Sequence, residues 1–559
     1  MNKKWWKEAV IYHIYPRSFR DSNGDGIGDL QGIIEKLDYI QSLGVDIIWL
    51  GPVYASPNDD NGYDVSDYYQ IHDDFGTLEE WERLKDDIHR RGMKIMMDIV
   101  LNHTSDEHAW FEASRLSRDN PYRDYYHWHE GKEGREPNNW GSVFSGSAWE
   151  QDPKTGDYYL HLFSRKQPDL NWGNPKVREA MYSMMRYWLD KGVDGFRLDA
   201  VNLLCKPDGL PDSPLAAADS EFAPCGPLVA NGEGIHGIFQ EMNREVFSPA
   251  QTFTIAEMAN VTAEEGLLYT ASDRLEFNSI IGFEHMDVDN GPNGRWETIP
   301  FDLVALKRIL NSWQTALNGR GWFGLYLNNH DQPRVVSRWG NDVAYWKESA
   351  TMFATCLHMM QGTLFIYQGE EIGMTNMKFA DITQYRDIET LNYYRHETAM
   401  GRPQEQVMAD IYTKSRDNAR TPMQWNTEPH AGFSSSEPWI GVNPNFTDIN
   451  VEAQEDDPAS ILNYYRLLVQ LRKRHDVIVY GDFTPLLEDH PAIYAYQRTL
   501  CGEKLFVVAN FTAEEQKLTA VKAPENAKLL LANYEKADGE PDELVLRPYE
   551  ARVYLAGTA

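Results

Sequence analysis

A chain of 559 residues that is 42% hydrophobic and 12% aromatic can bury more than one core, which excludes a disordered protein. Its 85 acidic against 53 basic residues leave a formal charge of −32, and a surface that acidic repels nucleic acid and anionic membrane. No stretch reaches the ~18 apolar residues of a membrane helix, and the start, MNKKWWKEAVIYHIYPRSF, lacks the apolar run of a signal peptide, so a cytoplasmic protein is expected.

The first apolar run, 9–16, leads into DSNGDGIGD, 21–29. Asp21, Asn23 and Asp25 alternate as in an EF-hand calcium loop, but Gly32 stands where that loop needs its closing glutamate. With Asp29 and the backbone carbonyl of Ile27, these oxygens suit a shorter clip for a hard cation, structural and not a switch. An amphipathic stretch, 30–44, predicts a helix, and further apolar runs follow at 45–53 and 94–103 with a second helix at 78–92 between them. Residues 104–173, rich in Trp, Tyr, Gly and Asn, read as an inserted small domain overhanging a barrel mouth. A helix at 176–192 precedes runs at 193–201, 251–258, 279–286, 321–331 and 362–373. Eight such strands alternating with helices predict an α/β fold, a (β/α)8 barrel over 1–103 and 174–477, with a further insertion at about 374–425. From 478 to 559 short alternating strands predict an antiparallel C-terminal β-sandwich domain. Cys205, Cys225, Cys356 and Cys501 show no metal-ligand spacing and are expected as reduced thiols.

Barrel chemistry sits at the C-terminal ends of strands. Those ends carry Asp98 with Asn102 and His103, Arg197 with Asp199, Glu257, and His330 with Asp331. Facing carboxylates are what glycoside hydrolysis requires, and Tyr63, Phe144, Phe163 and Trp172 offer rings for sugars to stack on. Arg197, on the same strand face as Asp199, is expected to hold that carboxylate ionised at a low pKa, while Asp199 raises the pKa of Glu257.

DIVLNH, GFRLDAVN, IAEM and NNHD resemble the four short segments of the α-amylase superfamily, glycoside hydrolase family 13, and QPDLN at 167–171 resembles the fifth segment of its oligo-1,6-glucosidase subfamily. The resemblance runs through the whole chain. It implies Asp199 as nucleophile, Glu257 as general acid/base and Asp331 as the third acid, with His103 and His330 bonding glucose hydroxyls and Gln167 in the substrate site. It also implies that Asp60 grips the outermost hydroxyl, that Arg416 pairs with Asp60, and that Tyr63 stacks beneath the ring. The loop 21–29 matches one that holds Ca2+ or Mg2+ away from the catalytic carboxylates, with no cofactor used in turnover. The expected activity is that of a retaining, exo-acting α-glucosidase on short oligosaccharides, working as a monomer.

Linkage stays open. Subfamily members specific for α-1,6 bonds usually carry valine after the nucleophile, where this chain has Ala200, and EMPGVT where it reads EMANVT. Maltose-type, isomaltose-type and sucrose bonds all remain candidates. Trehalose-6-phosphate hydrolysis is an alternative that needs a cationic phosphate site. Sucrose isomerisation is disfavoured because 283–291, FEHMDVDNG, lacks arginine, and a silent transporter ectodomain would carry a membrane helix and, in some cases, lose its acids.

Overall fold

The computed structural model describes residues 3–215, 221–292, 294–535 and 544–557. Eight strands form one parallel sheet: β1 (Val10–Ile14), β2 (Ile47–Leu50), β3 (Lys94–Val100), β4 (Gly195–Asp199), β5 (Phe253–Glu257), β6 (Ser279–Ile281), β7 (Gly324–Leu325) and β8 (Thr363–Tyr367). Their order is β6-β5-β4-β3-β2-β1-β8-β7, and a single parallel bridge, Ile280 to Phe323, joins the two ends into a barrel. The strands read as continuous apolar runs because side chains on both faces are buried, inward against the barrel centre and outward against helices. The helix Leu78–Arg90 shows the local logic: Thr77 and Glu80 cap its start reciprocally while Trp81, Leu84 and Ile88 face the barrel.

The predicted helix 30–44 is instead two short helices, Leu30–Glu35 and Leu37–Ser42, meeting at Lys36. Asp29 caps the first by accepting from Gly32 N. Gly32 explains itself: a Cβ there would lie 2.0 Å from the Arg20 carbonyl oxygen.

The inserted segment after β3 forms a small antiparallel sheet from Trp128–His129, Trp149–Gln151 and Tyr158–Leu160. Its core of Trp140, Trp149, Leu160 and Leu162 is completed by Leu203, Cys225 and Val229, so the tract after β4 packs on the insertion, which its sequence did not announce. The second insertion contains helices Ile388–Ala399 and Gln404–Lys414 around a core of its own, including Tyr393, Val407 and Ile411.

The C-terminal part has β9 (Asp482–Leu486), β10 (Ile493–Leu500), β11 (Glu503–Asn510), β12 (Gln516–Leu518), β13 (Lys528–Ala532), β14 (Leu544–Leu546) and β15 (Ala551–Ala556). The tract 536–543 of the predicted domain lies outside the described residues. A five-stranded antiparallel sheet, β9-β10-β11-β15-β13, faces the pair β12-β14. Period-two alternation divides its contacts: Ile493, Ala495, Phe506 and Val508 face that pair, while Tyr494, Tyr496, Leu505 and Val507 join the barrel's core. Lys307, on a barrel helix, donates to the carbonyls of Leu487 (2.7 Å), His490 (2.7 Å) and Ile493 (3.0 Å) at this seat.

Candidate active site

Strand β4 delivers Arg197 and Asp199 to the barrel mouth two residues apart, hence on one face. The buried Arg197 guanidinium donates to Asp98 Oδ1 (2.7 Å) and Asp199 Oδ1 (2.7 Å), and also to Glu257 Oε1 at the end of β5. Three carboxylates from three strands thus share one cation. The expected low pKa of Asp199 is overturned: burial raises it well above the usual carboxylate range, and Glu257, Asp98 and Asp331 add to that against Arg197. Asp98 is likewise raised by burial, with Arg197 opposing.

The third acid is different. Burial would raise Asp331, but His330 and the guanidiniums of Arg416 (3.3 Å) and Arg420 (2.8 Å) hold it well below the usual range. His330 Nε2 lies 3.0 Å from Asp331 Oδ2. Tyr63 stacks on His330 with ring centroids 5.1 Å apart and donates its hydroxyl to Asp98 Oδ2 (3.0 Å).

Asp60 takes Arg416 Nη2 on one oxygen (2.9 Å) and Gln167 Nε2 on the other (3.1 Å), so residues 356 positions apart meet. Gln167 also reaches His103 Nε2 (3.1 Å), whose ring burial pushes down to about 4 and so keeps neutral. Phe144 lies beneath the Arg416 guanidinium, 4.9 Å from it, and packs edge-on to Phe163. All these groups surround one cavity of about 530 Å3 lined by Asp60, Tyr63, Asp199, Glu257, Asp331 and Arg416 among others. His330, Gln167 and Arg197 stand behind that lining as supports. Trp172 does not take part: it is fully buried, donating to the Leu101 carbonyl (2.7 Å).

Ala200 lines the cavity at φ +43°, and Asn260 sits at φ +51°, a left-handed backbone that asparagine tolerates. The Ala259–Asn260 segment is pinned from two sides. Asn202 both donates to the Ala259 carbonyl (2.6 Å) and accepts its N–H (3.1 Å), while Asn231 donates to the Asn260 carbonyl (3.0 Å).

Away from the mouth, the loop 21–29 curls through successive turns in which Asp21, Asn23 and Asp25 each accept the N–H two residues on. Asp21 and Asp29 are buried and Asn23 and Asp25 exposed. Among the described residues no three acidic, imidazole or thiol groups converge as a cage. The loop's donors are instead hard oxygens of mixed type, the chemistry a hard cation takes.

The profile of the alpha-amylase catalytic domain matches residues 13–481. The chain belongs to the alpha-amylase family. A C-terminal domain profile of the same family, that of SusG, matches 493–553. The chain is 56% identical to an oligo-1,6-glucosidase of Parageobacillus thermoglucosidasius and 55% identical to one of Bacillus cereus, over 99% of this chain and 99–100% of each relative. Among solved structures, an isomaltulose synthase of Klebsiella sp. LX3 superposes with a TM-score of 0.95 at 42% identity, and a trehalose-6-phosphate hydrolase of Bacillus licheniformis with 0.92 at 45%, each covering 100% of both chains.

Several groups at this mouth were not singled out from sequence. Arg420 stands four residues after Arg416, and Arg295, Trp296, Glu389 and Lys414 line the cavity from the loop after β6 and from the second insertion. For Glu389 and Lys414 the only sequence signal was the length and aromatic content of that insertion, and for Arg295 and Trp296 there was none.

Proposed function

We propose that the protein is a retaining, exo-acting α-glucosidase that releases glucose from short α-glucosides, with Asp199 as nucleophile, Glu257 as acid/base and Asp331 as the acid that grips sugar hydroxyls. The observation that carries this reading is Arg197, which gathers Asp199 and Glu257 onto one guanidinium beneath a cavity walled at one end by the buried Asp60–Arg416 pair. Such a wall suits a chain end and obstructs a through-cleft.

The chemistry follows from the charges. Arg197 holds Glu257 beside Asp199, and from the end of β5 Glu257 donates a proton to the leaving oxygen. Asp199 attacks the anomeric carbon as the glycosidic bond breaks, forming a glucosyl ester. Glu257, now unprotonated, takes a proton from water as that water cleaves the ester, and the anomer is retained. Following the first anomer by NMR tests this: α-glucose is expected, and initial β-glucose would overturn it.

Ala200 leaves room beside the nucleophile for both maltose-type and isomaltose-type bonds, and sucrose is a further candidate substrate. The cations of the cavity argue against a phosphorylated substrate, because Arg295 is paired with Glu389, and Arg338 and Lys414 with Asp289. A panel of maltose, isomaltose, sucrose, trehalose and trehalose 6-phosphate separates these readings.

Loop 21–29 is proposed to hold calcium or magnesium through Asp21, Asn23, Asp25, Asp29 and the Ile27 carbonyl, as a clip with no part in turnover. Chelation is then expected to lower the melting temperature and spare activity measured in the cold. A cytoplasmic monomer is part of this proposal; the four cysteines are unpaired, and no described helix is long and apolar enough to cross a membrane.

A further inference from the structure

One side of the cavity is a composite wall. Half of it is the loop after β6, where Asn290–Gly291 pairs antiparallel with Gly294–Thr298, and half is the pair of helices Ile388–Ala399 and Gln404–Lys414. Charges join the halves: Arg295 donates to Glu389 (2.9 Å), and Lys414 to Asp289 (2.7 Å) and Asn290 (2.8 Å). One residue joins them without charge. Trp296 stacks on Tyr393 with centroids 4.3 Å apart and planes 7° from parallel, packs on the insertion's core beside Val407 and Ile411, and also lines the cavity. Tyr393 is itself locked, donating to Asp410 (2.8 Å) and accepting from Arg402 (2.7 Å). Fixing Trp296 fixes its neighbour Arg295, which reaches the carbonyls of Asp331 (3.3 Å) and Lys414 (3.1 Å).

We propose that Trp296 is a specificity-determining positioning residue: by seating its indole in the core of the second insertion it sets the wall against which the leaving sugar rests. This rests on the α-glucosidase reading. Asp60, Tyr63 and His103, assigned to the retained glucose, come from other loops, and Arg295 meets Asp331 at its backbone carbonyl while Arg416 and Arg420 hold the Asp331 carboxylate, so loosening this wall is expected to act chiefly through the leaving group. An aromatic held by a preorganised stack offers a surface that costs little ordering on binding.

The test compares maltose and isomaltose with α-glucosyl fluoride, whose leaving group fills none of the space beside the wall. For Trp296→Ala, kcat/KM is expected to fall about tenfold or more on at least one disaccharide, chiefly through KM, and to stay within about twofold on the fluoride. Trp296→Phe, which keeps a stacking ring, restores most of the loss. Equal losses on all substrates, or none on either disaccharide, overturn the proposal. If Trp296→Ala does not fold, Trp296→Leu, apolar but unable to stack, is read by the same criteria. A wild type that turns over none of the three sinks the underlying α-glucosidase reading, a separate failure.

Discussion

At the barrel mouth, Arg197, Arg416 and Arg420 are buried among carboxylates; at the seat of the C-terminal sheet, Lys307, Arg472 and Arg498 are buried among carbonyl oxygens. Arg472 donates to the carbonyls of His358, Met360 and Gly362, and Arg498 to that of Gly481 and to the Gln314 amide. The difference teaches what each charge is for. A mouth where acids outnumber cations keeps protons and open valences for a substrate, at a cost in stability. A cation wrapped by fixed carbonyls leaves nothing for a ligand to use, and its removal strands the acceptors it satisfied.

The sharpest expectation concerns the mouth. Asp199→Asn removes the nucleophile and one of three acids crowding Arg197, so kcat falls by several orders of magnitude while the melting temperature holds or rises. Glu257→Gln loses disaccharide turnover but largely keeps that of glucosyl fluoride, which needs no proton on departure. Unfolding of Asp199→Asn would break the comparison.

The seat should behave oppositely. Lys307→Met leaves three carbonyls without their donor and is expected to cost about 3 kcal/mol or more, seen as a lower melting temperature, with kcat per folded molecule unchanged. A large loss of kcat in folded protein would show that the two regions are coupled.

A finer test stays at the mouth. Ala200→Val adds two methyl groups beside the nucleophile and is expected to shift the kcat/KM ratio toward isomaltose over maltose by roughly ten- to two-hundred-fold. Because residue 200 has φ +43°, where β-branched side chains are strained, the variant should also melt earlier. An unchanged ratio moves attention to Ala259–Asn260.

The smallest effect is on pH dependence. Burial raises Asp64 and Glu370 to about 7 and Asp417 to about 6, so the folded state holds protons there that an unfolded chain, titrating near 4, has released. Stability from these groups therefore falls as pH rises from about 4 to 7. Burial acts upward on Asp289 and Asp387 too, but Arg338 and Lys414 hold the first and Arg416 and Arg420 the second at about 2, so their contribution is lost as pH falls from about 4 toward 2. Melting temperature should thus peak on the acid side of neutrality, and Glu370→Gln should flatten the neutral limb.

The barrel was legible because each strand is an apolar run that can only be buried on both faces, and the carboxylates because they terminate those runs. Strand lengths were not: 321–331 yields only Gly324–Leu325, since its remainder bends into the mouth. Trp172 looked like a platform by composition, but direction depends on which backbone carbonyl its indole finds. The raised pKa of Asp199 was hidden because a sequence shows its arginine neighbour and not the two further acids that arginine serves. Trp296 and Glu389 were hidden because their partners lie about a hundred residues away in the chain.

The single bridge from Ile280 to Phe323 gives the cylinder a seam. The strands on either side are the shortest of the eight, three residues and two, and the loops leaving them carry Arg295, Trp296 and Asp331. Fewer ladder bonds mean easier local opening, so backbone amide exchange is expected to begin there and spread outward. Gentle warming would then loosen the wall for the departing sugar together with the loop that carries Asp331, while Asp60, Tyr63 and His103, which follow other strands, keep their places, so selectivity and turnover would fade before the rest of the glucose pocket came apart.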